Sequence, residues 1–117
     1  MKTALLLTAA AAAAATFALP ADAAGRRARC VVSSGSETYR GPCNFIAERG
    51  GSFSVSAVGR RFIVGRVTDV SVAVLRPGAA EVRGLTAQGV NSRWGEARRS
   101  SRDRACWVGA DFSVCAY

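Results

Sequence analysis

Four cysteines in two short spacings constrain this chain more than any other feature. Cys30 and Cys43 form one spacing, Cys106 and Cys115 the other, and no further cysteine occurs. Each spacing holds a turn signal: Ser34-Gly35-Ser36 in the first, Gly109-Ala110-Asp111 in the second. Sequence proximity therefore favours Cys30–Cys43 and Cys106–Cys115, each closing a hairpin. In the chain-entropy picture, closing loops this short is worth about 2–3 kcal/mol each. Crossed pairings, which would tie the first hairpin to the last, stay open at this stage.

Disulfides imply an oxidising compartment, and the N-terminus supplies a route to one. Lys2 is a positive start, and Ala4 to Leu19 is apolar except for Thr8 and Thr16. Pro20 ends the run, and Ala21-Asp22-Ala23 fits a small-residue cleavage site. The run is short and Ala-rich for a membrane span, which needs roughly 20 apolar residues. It is read as a signal peptide over 1–23, leaving 24–117 as one domain with no transmembrane segment. The expected location is the periplasm or the exterior. A domain of that size buries a marginal core, and disulfides are the usual remedy.

The periodicity that follows is that of strands. Phe53, Val55 and Ala57 alternate with Ser52, Ser54 and Ser56, the pattern of a strand with one wet face. Val70, Val72 and Val74 alternate in the same way. Phe62 to Val67 is expected to be another strand. Arg76-Pro77-Gly78-Ala79 has the residues of a type II turn, with Pro second and Gly third. Type II twist suits a tight hairpin poorly, so a slightly wider connection is expected there. Gly41-Pro42 should break a strand at a sheet edge or bulge, because proline lacks a ladder donor. Residues 24–29, AGRRAR, read as a basic lead, and 88–103 as a long ordered loop with room for one helical turn at 96–99. No segment of the mature chain keeps helical periodicity over several turns. The fold class is all-β: a small antiparallel sandwich or barrel-like sheet with two disulfides.

The chain holds 16 Lys and Arg against 8 Asp and Glu, and no His, for a formal net charge of +8. Lysine occurs only at Lys2, so every basic residue of the mature domain is arginine. Guanidinium groups bind phosphate and carboxylate in a bidentate fork. Codon bias toward Ala, Gly, Val and Arg is the plain alternative. Without His there is no Ser-His or Cys-His pair and no common zinc ligand. Without mature Lys there is no Schiff base. Paired cysteines leave no thiol nucleophile. The carboxylates Glu37, Glu48, Asp69, Glu81, Glu96, Asp103 and Asp111 are scattered and form no calcium-loop spacing. A non-enzymatic protein is expected, with no catalytic residues, cofactor or metal.

The candidate site is an anion-binding cluster of Arg93, Trp94, Arg98, Arg99, Arg102 and Arg104. Arginines beside an aromatic ring suit a phosphate, a sulfate or an acidic sugar. The competing reading puts Trp94 and Trp107 in a small core and Arg98 to Arg104 in a solvated loop. Arg60-Arg61 reads as a second, solvated basic turn.

The segments GPCNF, GGSFSV, PGAAEVRGLT, NSRWG and RACWVGADFSVCAY together resemble a group of small exported proteobacterial proteins of unknown function. Those chains share a signal peptide, two short cysteine spacings and an ACW…CA-aromatic ending. The resemblance covers most of Cys30 to Tyr117. It implies export and disulfides, and no activity or ligand.

Two functions follow as expectations. One is a structural or binding protein that contacts anionic envelope components through an arginine-rich loop. Anionic glycan, lipopolysaccharide and acidic protein are its candidate partners. The other is a secreted inhibitor or interaction protein that grips a protein partner through apolar or loop residues. Export places the chain away from cytoplasmic nucleic acid, and no nucleic-acid-binding signature is present.

Overall fold

In the computed structural model, residues 25–117 are described. The signal peptide expected over 1–23 lies outside the described residues. The alternating residues form eight strands: β1 (Arg26–Ser34), β2 (Glu37–Ala47), β3 (Phe53–Ala57), β4 (Val67–Arg76), β5 (Ala79–Thr86), β6 (Asn91–Arg99), β7 (Cys106–Val108) and β8 (Phe112–Ala116). A single 3-10 turn at Arg49–Gly51 joins β2 to β3. Each strand pairs antiparallel with its sequence neighbour, and β8 closes on β1. The barrel-like member of the expected class is the one found. Closure leaves no free outer edge strand, which is how a small all-β protein avoids edge-to-edge association.

The inward set is apolar. Val32, Val55, Val70, Val72, Val82 and Val114 are essentially inaccessible, as are Cys30, Cys43 and Ala80. Each fully buried valine contributes about 1.5–3 kcal/mol relative to its exposed state. Most outward residues of β1 to β3 are polar or charged, such as Arg27 and Arg29 on β1, Arg40 and Asn44 on β2, and Ser54 and Ser56 on β3, with Val31, Pro42 and Ile46 the exceptions. This is the reverse of a lipid-facing barrel, which is apolar outside and polar within. No helix among the described residues is long and apolar enough to cross a membrane.

Because consecutive strands alternate in direction, the connections sort to two ends. The start of β1, the C-terminus and the β2–β3, β4–β5 and β6–β7 connections gather at one, here called the terminus end. Its mouth is filled by rings. Phe45 stacks on Phe53 with centroids 5.0 Å apart. The Arg26 guanidinium lies 4.4 Å above Phe45, and that of Arg99 lies 5.6 Å from Trp107. The other end is plugged by the β3–β4 connection, which buries Ile63 and Val64.

Both disulfides join the pairs that sequence proximity favours, and they do so differently. Cys30 faces Gly41 and Cys43 faces Ala28, so their bond runs diagonally across the inner face of β1–β2. Cys106 and Cys115 are direct cross-strand partners on the outer face of β7–β8. Phe112 and Trp107 fill the inner side of the same hairpin. A Cβ at Gly109 would overlap the Phe112 ring, so a bare backbone is required there.

Four sequence expectations are corrected. First, β2 runs unbroken through Gly41-Pro42, with Pro42 opposite Arg29. The backbone N–H and C=O of Arg29 are exchanged with Tyr117, so Pro42 owes β1 no donor. On its other side the β2–β3 ladder ends at Cys43–Ala57, and the Pro42 carbonyl only accepts, from Val58 N at 3.2 Å and from the Tyr39 hydroxyl at 2.5 Å. Second, residues 62–66 form no strand, and Val64 makes only an isolated bridge to Val67, where β4 begins, because this apolar stretch turns inward to plug the barrel. Third, the β4–β5 connection is tight rather than wide. Gly78 takes φ 76°, and a register shift between Val74 and Arg76 absorbs the unfavourable twist. Fourth, 91–99 is strand β6 and holds no helical turn at 96–99. Its alternation is interrupted by a register shift opposite Val82 and Arg83, which moves Trp94 and Gly95 out of phase. AGRRAR likewise enters β1 from Arg26 onward.

Candidate anion-binding surface

The six residues of the expected cluster come from one continuous stretch, but the barrel divides them. Arg93 sits on the outer face of β6 directly opposite Arg83. Like charges so placed repel, and Glu81 lies between them. Its Oε1 is 2.8 Å from Arg83 and 3.3 Å from Arg93. Glu81 in turn faces Glu96 across the same strand pair. Arg93 is thus used in a local charge balance on the β5–β6 wall.

Trp94 leaves the cluster too. Its indole packs over Gly84 so closely that a Cβ there would be 2.7 Å from Nε1. Its ring meets Phe112 edge-on at 5.8 Å. Trp94 is partly buried against the core, and Trp107 is buried within it. The tryptophans take the packing role. No ring of theirs lies beside Arg102 or Arg104 as the sequence pattern suggested.

Arg98, Arg99, Arg102 and Arg104 stay together at the terminus end, on the last residues of β6 and the β6–β7 connection. That connection is held by its own short-range bonds. Ser100 Oγ accepts from the backbone N–H of Arg102 and of Asp103, each at 3.2 Å. Arg99 Nε donates to the Arg104 carbonyl at 2.7 Å. Asp103 accepts from Ala105 N at 3.0 Å and from the Tyr117 hydroxyl at 2.5 Å. These two donors, the phenol first, hold the Asp103 carboxyl below its ordinary value, and the same bond raises the Tyr117 phenol. Ser100 and Asp103 are the polar residues that shape a turn through local side-chain bonds. The loop therefore presents Arg102 and Arg104 from a fixed frame.

The barrel adds arginines that sequence spacing alone did not group with these. Arg26, Arg27 and Arg29 open β1, Arg49 sits in the β2–β3 turn, and Arg76 ends β4. All reach the terminus end, where the carboxylates are Glu48, Asp103 and, beside Arg76 and Arg98 in a groove, Glu96. The opposite end is more evenly matched, with Arg60, Arg61 and Arg66 beside Glu37, Asp69 and Asp111. Arg60, Arg61 and Arg66 also lie over the Tyr39 and Phe62 rings. Among the described residues, the ion pairs within 4.0 Å are those of Glu81 with Arg83 and Arg93. The terminus-end guanidiniums have no carboxylate partner in that sense. The signal that could have joined them is topological: in an up-and-down sheet, the start of strand one and the end of strand six share an end.

Shallow grooves flank this end. One of about 250 Å³ runs over Ala79, Ala97 and Val108 between Arg76, Glu96 and Arg98. Another of about 460 Å³ is lined by Gly25, Arg26, Arg27, Asn44 and Ile46. Among the described residues, no group of three His, Cys, Asp or Glu side chains is placed to hold a metal ion. No protein-family model, curated protein or solved structure matches this chain.

Proposed function

We propose that this is a non-enzymatic exported protein of the bacterial envelope or exterior that binds an anionic partner through the terminus end of its barrel. Acidic glycan, lipopolysaccharide phosphate and an acidic protein surface share the chemistry such a site would take. The observation that carries the reading is the asymmetry of pairing. Arg83 and Arg93 on the wall share the single carboxylate of Glu81, whereas the terminus-end arginines are exposed and, among the described residues, have no carboxylate within salt-bridge reach. Guanidiniums without a carboxylate partner on a fixed loop keep most of their donors for a ligand, Arg99 using only Nε internally, and lose little freedom when one binds. The two disulfides and the basic charge suit the periplasm or the exterior, where anionic polymers are at hand.

The test is salt-dependent retention on immobilised heparin and on lipopolysaccharide. Arg98→Ala/Arg99→Ala/Arg102→Ala should elute at clearly lower salt. The slope of log affinity against log salt should shrink by on the order of one for each guanidinium that no longer neutralises an anionic group. Arg60→Ala/Arg61→Ala/Arg66→Ala removes the same charge from the opposite end and should elute close to the parent. Equal losses in both variants would show attraction by net charge alone and overturn the site. Retention that survives high salt would favour the protein-partner alternative.

A further inference from the structure

The outer face of β1 and β2 carries a second basic feature that continues the loop. Arg27 and Arg29 alternate with the inward Ala28 and Cys30, so both point away from the core. Arg29 faces Pro42, and Arg40 stands one diagonal step away opposite Val31. Residues at i and i+2 of a strand are about 7 Å apart, and diagonal neighbours on adjacent strands are about as far. On its other side, Arg29 is bonded through its backbone to Tyr117. Tyr117 holds Asp103, between Arg102 and Arg104, and the Arg40 charge reaches the same phenol and tends to lower it. Arg29 and Arg40 therefore meet the arginine loop at Tyr117, and Arg27 continues the row beyond Arg29. The foot of this row is the groove between Arg26, Arg27, Asn44 and Ile46.

We propose that Arg27, Arg29 and Arg40 form a track, continuous with the 99–104 loop, along which a linear acidic polysaccharide lies extended. The proposal rests on the anion-binding reading above and assigns the partner a shape. A single phosphate or carboxylate would use one guanidinium fork. Regularly spaced charges on a rigid strand instead match repeating anionic groups on an extended polymer. The stripe from the level of Arg40 to Arg27 covers about 13 Å of strand, so several sugar units are engaged at once. Asn44 adds a neutral donor and acceptor suited to hydroxyl groups.

Heparin-derived oligosaccharides from disaccharide to octasaccharide are titrated into the oxidised protein by calorimetry. Affinity should climb with length and then level off. Arg27→Ala/Arg29→Ala/Arg40→Ala should flatten that climb, losing about tenfold or more for the octasaccharide and little for the disaccharide. The corresponding triple Lys variant keeps the charge and should restore most of the length dependence. Unfolding curves confirm that both variants are folded, since exposed substitutions of this kind cost little. If the Ala triple keeps the parent's length dependence while the loop variant no longer binds, the track is wrong and the loop site stands. If no oligosaccharide binds the parent, both the track and the anion-binding reading fall. If single-stranded DNA of equal charge binds as tightly as the octasaccharide, the assignment to polysaccharide is overturned.

Discussion

Cys30–Cys43 crosses the inside of the barrel, whereas Cys106–Cys115 crosses its outer face. The first pair is wholly inaccessible, both residues at 0%, and belongs to the same packed cluster as Val32, Tyr39 and Val55. The second pair retains 9% and 7% exposure and borders Tyr117 and, through it, the arginine loop. Similar cross-links in neighbouring strands thus serve different ends. One supplies core volume as well as a chain constraint. The other ties down the hairpin that borders the candidate binding surface.

The largest test of that contrast removes each bond in turn. Cys30→Ala/Cys43→Ala loses a cross-link and leaves a void between packed valines, so unfolding free energy should fall by about 3–5 kcal/mol. Cys106→Ala/Cys115→Ala loses the constraint without opening the core and should cost about 2–3 kcal/mol. Urea unfolding of both variants measures the difference, and equal losses would erase the distinction. The outer variant should nonetheless lose more heparin retention, because its hairpin no longer holds Tyr117 against Asp103.

A gentler test uses the intact protein. Reduction requires a thiolate to reach a sulfur, so access sets the order. Under native conditions, graded reductant followed by alkylation and mass mapping should label Cys106 and Cys115 first. Cys30 and Cys43 should be labelled only when the barrel opens globally. Labelling of the inner pair first would break the comparison.

The inner hairpin and the outer one are equally legible in the sequence, because each cysteine spacing closes a local turn and the ladder partners lie within it. Strands β3 and β4 are legible for the same local reason, since Phe53-Val55-Ala57 and Val70-Val72-Val74 alternate cleanly. Strand β6 is hidden because the register shift at Trp94 and Gly95 disrupts its period, and its outward residues are mostly charged. Pro42 reads as a breaker because its donor is missed only if a neighbour needs it, and which neighbours need it depends on where β3 and β8 end. The stretch at 62–64 reads as a strand because burial in a plug and burial in a sheet leave the same apolar residues. The candidate site is half legible for a related reason. Four of its arginines are neighbours in sequence and stay neighbours in space. Arg93 and Trp94 are drawn off by Glu81 and Gly84 on a strand that sequence does not pair with them. Arg27, Arg29 and Arg40 join only through barrel closure.

The finest probe of the outer region is the Tyr117–Asp103 bond, which lies in solvent and should move global stability too little to resolve. Its signature is pH. Asp103 is held below its ordinary 3.8, first by the Tyr117 hydroxyl and then by Ala105 N. A depressed carboxyl contributes to folding above its unfolded value, and the contribution is lost as pH falls through the lower folded one. Tyr117 is raised from 10.0, first by the bond to Asp103, so the neutral phenol is favoured in the fold. Its contribution is complete below the ordinary value and is lost as pH rises through the raised one. The loop should therefore stay ordered across neutral pH and loosen at both extremes, read as faster exchange of the Ala105 amide. Tyr117→Phe removes the leading cause of the Asp103 shift. By carbon-detected NMR titration, the Asp103 carboxyl should move back toward 3.8, and the acid-side loosening should begin at higher pH. Core amides beside Cys30–Cys43, buried on the inner face, should not move with it. An unshifted Asp103 in Tyr117→Phe would mean that the phenol does not hold the loop, and the outer disulfide would then act on the arginines through the backbone alone.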